Sequence, residues 1–557
     1  MKWEIISKQN SKQIKTENIL EVLLKNRKLF SEKEKQEFFN PTLPSQLSLE
    51  ELGISKTQVT KAIARLKIAL EKKERMVVYG DYDADGICST AIAWETLYSL
   101  GFNVTPFIPD RFSEGYGLKK EQIKKLLQDN SDLSLIVTVD NGIVANDAVD
   151  YANSKGIDCI VTDHHEPSNK LPNASNIIHT TKTSGAGISW IFSREILKHF
   201  LPDTWQEKIE NKLDLCAIGV VADQMLLTGV NRSFVKYGLE SLRKTKRIGL
   251  RALFDQAAVE IADVATYHIN YVIAPRINAM GRLKHGMDSL RLVCTKDAAR
   301  AKELSALVAQ TNIDRQKIVT ESISHAKKHL ENTGDTQGKV IILAHESYHE
   351  GVIGLIASKI VDEYYRPVIV FSKGEQYSKA SGRSILGFNL IEAIRQLGDL
   401  WSEGGGHAMA AGFTIETDKL EEFGKRLNEI AQPALTDEIL EKKIKVDLVL
   451  DFGNIDWDLV GKLTEFEPFG LGNPQAIFAT LGVDIIDVKV LGNGVKHLKL
   501  KLKKDKTFDA IFFGAGELAK DLTTHDKIDI IYNLEINDWN GNKSLQLKLK
   551  DLKKHGE

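Results

Sequence analysis

At 557 residues the chain exceeds the size at which one hydrophobic core keeps growing, so three or four domains are expected. Hydrophobic residues make up 42% and charged residues 27%, an ordinary soluble composition, and the net charge of −2 means that any nucleic-acid role must rest on locally clustered basic residues. No apolar run reaches the length of a bilayer span, so no membrane partner is expected, and residues 1–8 carry no signal-peptide pattern.

In chain order, the first ~70 residues read as polar helices, including residues 56–72, with residues 1–45 as an N-terminal helical segment. A βα alternation follows. Met76-Val77-Val78-Tyr79 is a short apolar strand, residues 80–86 a turn and residues 89–100 a helix. Leu135-Ile136-Val137-Thr138-Val139 and Cys159-Ile160-Val161-Thr162 are further strands, with a helical segment near residues 145–155 between them. Strands alternating with helices predict a parallel sheet, here over residues 46–290. From about residue 295 to 330 the pattern turns helical, with Ala298, Ala301, Leu304, Leu307 and Val308 at three-to-four spacing, as expected of a connecting helix over residues 291–332. A second α/β region, residues 333–435, contains Val340-Ile341-Ile342-Leu343 and Val368-Ile369-Val370-Phe371. Beyond Pro433, period-two alternation in residues 498–503 and 545–550 predicts a small antiparallel barrel or sheet over residues 445–557. Four cysteines (Cys88, Cys159, Cys216, Cys294) stand far apart, which argues against a zinc knuckle or disulfide framework and fits a reducing cytoplasm.

The strongest chemical signal is Gly80-Asp81-Tyr82-Asp83-Ala84-Asp85-Gly86, directly after a strand. Three carboxylates within five residues repel one another, and a fold gains little from them without cations. A solvated acidic turn would explain this segment alone. Three more segments change the weighing: Val139-Asp140-Asn141-Gly142, Thr162-Asp163-His164-His165 and the apolar run 217–222 ending at Asp223. In an open parallel sheet, ligands bind at the carboxyl ends of the strands, and all four segments would deliver acids or imidazoles to that edge. Carboxylate plus imidazole suits two Mn²⁺ or Mg²⁺ ions, a pair able to stabilise both attacking and leaving oxygens in an in-line displacement at phosphorus.

These motifs resemble the DHH phosphoesterase superfamily, named for Asp163-His164-His165, and within it the RecJ family of exonucleases, from roughly residue 40 onward. The resemblance implies a DHH phosphoesterase domain, a DHH-associated domain and an OB-fold barrel. It implies that Asp83 and Asp85 ligate separate ions, that Asp140 bridges both, that His164 and Asp223 complete the second site and that Asp81 is a further ligand. Asp163 and His165 would support these ligands or touch the phosphate. Metal-activated water would be the nucleophile, with no covalent enzyme intermediate.

Pro275-Arg276-Ile277-Asn278-Ala279-Met280-Gly281-Arg282 matches another motif of that family, and its guanidinium groups suit paired hydrogen bonds to phosphate, with a structural salt bridge as the alternative. Ser381-Gly382-Arg383-Ser384 and Gly404-Gly405-Gly406-His407 resemble the DHH-associated domain, which implies a substrate-binding wall, and the glycines would let backbone N–H groups form an anion nest. Arg111, in Pro109-Asp110-Arg111-Phe112 with Gly115-Tyr116-Gly117 after it, also matches a motif of that family, and the resemblance implies that it faces a 5′ phosphate. His345-Glu346-Ser347-Tyr348-His349 fits a zinc-protease pattern, but the residues follow a strand directly and Gly351 and Gly354 come at once, so a shared helix is not expected; the resemblance places 351–354 at a helix start. Lys489, Lys496, Lys499, Lys501 and Lys503 belong to a basic stripe against one acid, Asp505, which is either a solvated strand face or a backbone-tracking surface. Phe508, Phe512 and Phe513 are candidate base-stacking groups, with core packing as the alternative.

The reading that results is a 5′→3′ exonuclease releasing 5′-mononucleotides from single-stranded DNA in repair and recombination. It would be a cytoplasmic monomer acting with a single-strand-binding protein and a helicase; polarity comes from the resemblance alone. Hydrolysis of short oligonucleotides or cyclic dinucleotides is the alternative chemistry, and a catalytically silent single-strand-binding scaffold the alternative class. The presence of every expected acid and histidine argues against the scaffold, and the lack of a Gly-x-x-x-x-Gly-Lys-Ser/Thr loop against an ATP-driven motor.

Overall fold

A computed structural model describes residues 1–7, 15–333, 338–492, 496–539 and 541–556. The chain forms two compact units. The larger comprises Pro44–Met225 and Tyr237–Lys442, the smaller Met1–Leu43, Leu226–Lys236 and Lys443–Glu557.

The larger unit contains a five-stranded sheet, all parallel, ordered Val104–Phe107, Arg75–Tyr79, Leu133–Val139, Asp158–Asp163, Asn176–His179. Its central strands are apolar on both faces and buried, as a parallel sheet covered by helices on either side requires. The expected turn at residues 80–86 is shorter than predicted, because helix Ala84–Ser99 starts within it. Asp83 caps that helix by accepting from Gly86 N at 2.9 Å, so Asp85 occupies the first helical turn, where the helix dipole favours an anion. Helix Leu213–Ala222 is almost wholly apolar and buried, and Asp223 is its C-terminal cap. The long helix Ala298–Thr333 follows as predicted, preceded by the separate helix Met287–Cys294.

A second sheet in the same unit is mixed, ordered Trp401–His407, Ala410–Glu416, Tyr377–Arg383, Val368–Ser372, Ile341–His345, and only the last pair is parallel. His345 ends its strand and His349 lies in the following turn, before helix Ile353–Tyr364. The two share no helix, so the zinc-protease arrangement is absent. The glycine run 404–406 is not a nest but an edge strand paired to residues 411–413. A Cβ on Gly404 would fall 2.4 Å from the Gly412 carbonyl and one on Gly406 2.2 Å from that of Ala410, so strand proximity explains these glycines.

In the smaller unit, strands Phe478–Leu491, His497–Lys503, Thr507–Phe513, Asn542–Lys554 and Lys527–Trp539 close on one another. The barrel is not purely antiparallel, since Thr507–Phe513 runs parallel to Asn542–Lys554. An odd number of strands cannot close with every neighbour antiparallel, so one parallel pair is obligatory. Residues 1–45 are not helical throughout: Lys2–Ser7 is a strand, parallel to Lys443–Val449, which itself pairs with Phe478–Leu491. Helix residues Ile19, Leu23 and Phe38 share a core with Phe452, Phe478 and Tyr532. Arg232 is buried against the Phe38 ring and donates to the carbonyls of Phe38, Phe466 and Glu467. Among the described residues, no helix is long and apolar enough to cross a membrane, and all four cysteines are unpaired.

Candidate metal centre

The predicted acids converge at the carboxyl ends of the parallel strands. Ligand atoms of Asp81, Asp83 and Asp140 lie within 4.8 Å of one another, as do those of Asp85, His164 and Asp223, and those of Asp140, His164 and His165. Asp140 belongs to two of these groupings, and so does His164. Asp140 reaches the centre from a left-handed backbone, φ 62°, with its N–H donating to the Thr162 carbonyl at 3.1 Å. Asp and Asn adopt that conformation more readily than most residues.

Two helices are cut away to admit these carboxylates. A Cβ on Gly185 would lie 2.5 Å from Asp140 Oδ1, and one on Gly219 2.3 Å from Asp85 Oδ1. Asp85 also accepts from Ser184 Oγ at 2.9 Å, Gly185 N at 2.7 Å and Ala186 N at 3.0 Å, at the start of helix Gly185–Phe200. Sequence reasoning missed Ser184, Gly185 and Gly219; the Ser184-Gly185-Ala186-Gly187 run before an apolar helix was the available signal.

The electrostatics mark a site built for cations. Asp140 and Asp81 are both held well above the ordinary carboxylate range, Asp140 by burial and the charges of Asp85 and Asp83, Asp81 by burial and Asp83. Asp223 is pushed up to about 9 by burial and by Asp85 and Asp83, and Asp85 to about 6 by burial and Asp83. Burial and the neighbouring His165 lower His164 to about 4, leaving a neutral imidazole with a free lone pair. Asp140 Oδ1 and Asp81 Oδ1 are buried without a hydrogen bond, although His164 Nε2 stands 3.1 Å from the former. Carboxylate oxygens and a neutral imidazole that face each other unbonded fit divalent cations of the Mn²⁺ or Mg²⁺ type.

Asp163 does different work. It accepts from Ile143 N at 2.9 Å, His164 N at 2.7 Å and His165 Nδ1 at 2.7 Å, tying the strand ends together. Burial alone would lower His165, but the Asp163 hydrogen bond and charge outweigh it and raise the imidazole to about 9. His165 Nε2 lies 3.1 Å from the Tyr116 hydroxyl.

The predicted arginines split by environment. Arg282 donates to the Gly351 carbonyl at 3.0 Å, and Arg383 to Ser381 Oγ at 3.1 Å and the Gly382 carbonyl at 2.8 Å. Arg111 lies over the Tyr82 ring at 5.3 Å. Burial and the charges of Arg111, Arg315 and Arg383 lower Arg282 to about 10. None of these arginines, nor Arg276, forms an ion pair among the described residues, so the salt-bridge alternative fails. Asn278 has a structural contact: its Oδ1 accepts from Ala84 N at 2.6 Å and fastens the acidic loop. Gly406 and His407 lie on the exposed edge hairpin, and among the described residues no hydrogen bond or ion pair joins them to the acids.

On the barrel, Lys499 and Lys489 face each other across adjacent strands, and the stripe is partly neutralised by acids from neighbouring positions: Lys489 pairs with Asp487 at 2.5 Å and Lys499 with Asp509 at 2.8 Å. Lys496, Lys501 and Lys503 have no ion pair among the described residues. Phe508 is core, packed 5.2 Å from Phe452, and Phe512 packs against the same core; Phe513 is exposed.

Known proteins match this architecture part by part. The DHH family N-terminal domain matches residues 75–220, the DHHA1 domain residues 337–432 and the RecJ OB domain residues 446–551. The single-stranded-DNA-specific exonuclease RecJ of Escherichia coli is 32% identical over 520 residues, covering 88% of this chain and 89% of its own. RecJ of Bacillus subtilis is 35% identical over 503 residues, covering 88% of this chain, which spans 63% of that relative's length. The crystal structure of Thermus thermophilus RecJ with Mn²⁺ superposes with a TM-score of 0.83 at 28% identity, over 100% of this chain and 80% of that one. The same protein with Mg²⁺ gives 0.77 at 27% identity, over 100% and 79%. With three domain models matched in order and relatives at 30% identity or more over most of its length, the chain belongs to the RecJ family of DHH phosphoesterases.

Proposed function

We propose that the protein is a metal-dependent exonuclease that degrades single-stranded DNA from the 5′ end and releases 5′-mononucleotides. The observation that carries the chemistry is the convergence of Asp81, Asp83, Asp85, Asp140, His164 and Asp223, with buried carboxylate oxygens left unbonded. When bound, two divalent ions supply the positive charge that activates water and offsets charge on the scissile phosphate. Asp83 and Asp81 would serve one ion, Asp85, His164 and Asp223 the other, with Asp140 common to both.

The chain's own residues do the rest. His165, held through Nδ1 by Asp163 and with Nε2 near the Tyr116 hydroxyl, would offer an N–H where negative charge develops on phosphate oxygens. Arg282, near Asp83 and without an anionic partner, is placed to hold a phosphate beside the acids. Arg383 and Ser381 form a second phosphate grip with Arg111, against the start of helix Ile353–Tyr364: a Cβ on Gly354 would meet Arg383 Nη2 at 2.9 Å. Arg383, Ser381 and Arg111 would recognise a terminal phosphate, and such recognition favours exonuclease over endonuclease action. The lysines without ion pairs on the barrel, Lys496, Lys501 and Lys503, and the exposed Phe513 suit a non-specific hold on a longer strand. That module also favours long strands over cyclic dinucleotides as substrate.

Four unpaired cysteines accord with action in the cytoplasm. A single-strand-binding protein and a helicase are the partners such a substrate implies, and the protein would act as a monomer. Product sizing on strands labelled at either end, with Mn²⁺, Mg²⁺ or chelator, tests the proposal. Mononucleotides appearing first from the 5′ label support it, and 3′ trimming overturns the polarity.

A further inference from the structure

Arg111 is held by an aromatic face rather than by an acid. The turn that carries it is wound around its neighbour: Asp110 accepts from Phe112 N at 3.1 Å, Ser113 N at 2.9 Å and Ser113 Oγ at 2.8 Å, and Asp110 N donates to Glu114 at 2.8 Å. Glu114 is tied in turn to Lys125, at 2.8 Å, on helix Lys120–Asp129. The Arg111 side chain takes no part in this, and among the described residues its guanidinium has neither a hydrogen bond nor an ion pair. What it meets is the Tyr82 ring, whose centroid lies 5.3 Å from the guanidinium carbon.

Like charge surrounds it. Burial lowers both Arg282 and Arg383, and the charge of Arg111 lowers each of them further. Repulsion of this kind drives a flexible cationic side chain outward unless something holds it. A carboxylate would hold it, but would also occupy the forked N–H edge with which a guanidinium grips phosphate. An aromatic face attracts the cation through the ring and leaves that edge open.

Tyr82 is itself fixed from the other side. It lies between Asp81 and Asp83, in the loop that enters helix Ala84–Ser99. Helix Ala274–Leu283 is cut away to admit it: a Cβ on Gly281 would fall 2.6 Å from the Tyr82 carbonyl oxygen and 3.1 Å from its Cβ. One on Gly286, just past that helix, would fall 3.2 Å from the same Cβ. One turn before Gly281, Asn278 fastens the loop through Ala84 N. The same short stretch of backbone therefore presents two acids to the ions and, between them, a ring to Arg111.

We propose that Tyr82 is the positioning residue of the phosphate grip: its ring holds the Arg111 guanidinium in place with the N–H edge open to the 5′ phosphate. Because Asp81 and Asp83 flank Tyr82, the grip is indexed to the ions through single peptide units. A terminal phosphate finds its donor already oriented, and the cost of ordering a long cationic side chain is met before the strand arrives. The inference rests on the exonuclease reading above and assigns no chemical step to Tyr82 itself.

The test is cleavage of 5′-phosphorylated and 5′-hydroxyl 12-mers by the full chain with Mn²⁺ in excess, with KM and kcat compared on the two strands. Tyr82→Leu is expected to raise KM on the phosphorylated strand by about five- to tenfold and to narrow its advantage over the hydroxyl strand. Tyr82→Phe should keep that advantage, because the ring and not the hydroxyl is used. In Tyr82→Leu/Arg111→Ala the advantage should be no smaller than in Arg111→Ala alone, since a ring without its cation has nothing to position. Tyr82→Met, unbranched and without a π face, carries the same expectation if the leucine variant does not fold. Equal losses on both strands, losses that add in the double variant, or indifference of the unaltered protein to the 5′ group would overturn the proposal and leave the nuclease reading standing. An unaltered protein that cleaves neither strand overturns both.

Discussion

Helix Ala84–Ser99 carries a carboxylate near each end, and the two live under opposite electrostatics. At its C-terminal side Glu95 accepts from Arg247 Nη1 at 2.7 Å, Arg247 Nη2 at 2.9 Å and Lys212 Nζ at 3.0 Å, while Arg247 Nε also pairs with Asp214 at 3.1 Å. Burial would raise Glu95, but Arg247 and Lys212 overcome it and bring the group down to about 2. At the N-terminal side Asp81, Asp85, Asp140 and Asp223 have no lysine or arginine ion pair among the described residues, and burial and their neighbours' charges drive all four carboxyls upward. Buried carboxylates matched by cationic side chains are architecture. Buried carboxylates crowded together and left unmatched are a binding site whose cation comes from solution, and their mutual repulsion is a standing cost to the fold.

The largest expected effect breaks the unmatched end. Asp140→Asn keeps a residue suited to the left-handed backbone while removing a shared ligand, and should reduce kcat by more than the ~10²–10³-fold typical of losing one stabilising donor. Asp81→Asn, in one grouping only, should cost less. Steady-state digestion of a labelled single strand with Mn²⁺ in excess measures both, and near-normal turnover by Asp140→Asn would sink the shared-ligand assignment.

Next in size is Arg383, whose guanidinium is as unmatched as the acids. A charge-assisted hydrogen bond contributes roughly 1.5–3 kcal/mol, so Arg383→Ala should lower kcat/KM by about one to two orders of magnitude on 5′-phosphorylated strands. The loss should be smaller on 5′-hydroxyl strands, and Arg383→Lys should recover only part of it. Single-turnover cleavage of matched strands differing only in the 5′ group distinguishes these; equal losses on both would place Arg383 elsewhere along the strand.

Glu95→Gln probes the matched end. Glu95 is lowered on folding, so its stabilisation is present above the unfolded value near 4.5 and is lost as pH falls toward about 2. The substitution should therefore cost about 2–3 kcal/mol at pH 7, a gap that closes in acid. Denaturant melts at pH 7 and pH 3 read it directly, and a deficit independent of pH would mean that packing, not charge, is lost.

How much of this contrast was visible in the sequence depends on the range of the interaction. Asp81, Asp83, Asp85, Asp140 and Asp163-His164-His165 follow apolar runs whose strand character is local, so their meeting at one sheet edge could be anticipated. The left-handed turn at Asp140 and the clasp of Asn278 on the Ala84 backbone could not, because each depends on a partner strand or helix far along the chain. Lys2-Trp3-Glu4-Ile5 does alternate, but the strand that makes it β lies some 440 residues away. The glycine run 404–406 invited a nest reading because backbone freedom is local, whereas the close strand approach it serves is not.

The smallest effect concerns the barrel lysines. Lys501→Gln/Lys503→Gln, which leaves the paired Lys489 and Lys499 in place, should flatten the salt dependence of 12-mer binding by about 0.7 per lysine. An unchanged slope would make that stripe a solvated strand face.

The most direct measurement of the central contrast is thermal stability with chelator and with Mn²⁺, for the unaltered protein and Asp140→Asn. Mn²⁺ should raise the unfolding temperature of the unaltered protein, because a ligand that binds only the folded state stabilises it, by about 2.7 kcal/mol at a hundred times its dissociation constant. In chelator Asp140→Asn should melt higher than the unaltered protein, since one repelling charge is gone, and it should gain far less from Mn²⁺. An unaltered protein indifferent to Mn²⁺, or an Asp140→Asn protein less stable than it in chelator, would contradict the view that these acids are held together for cations.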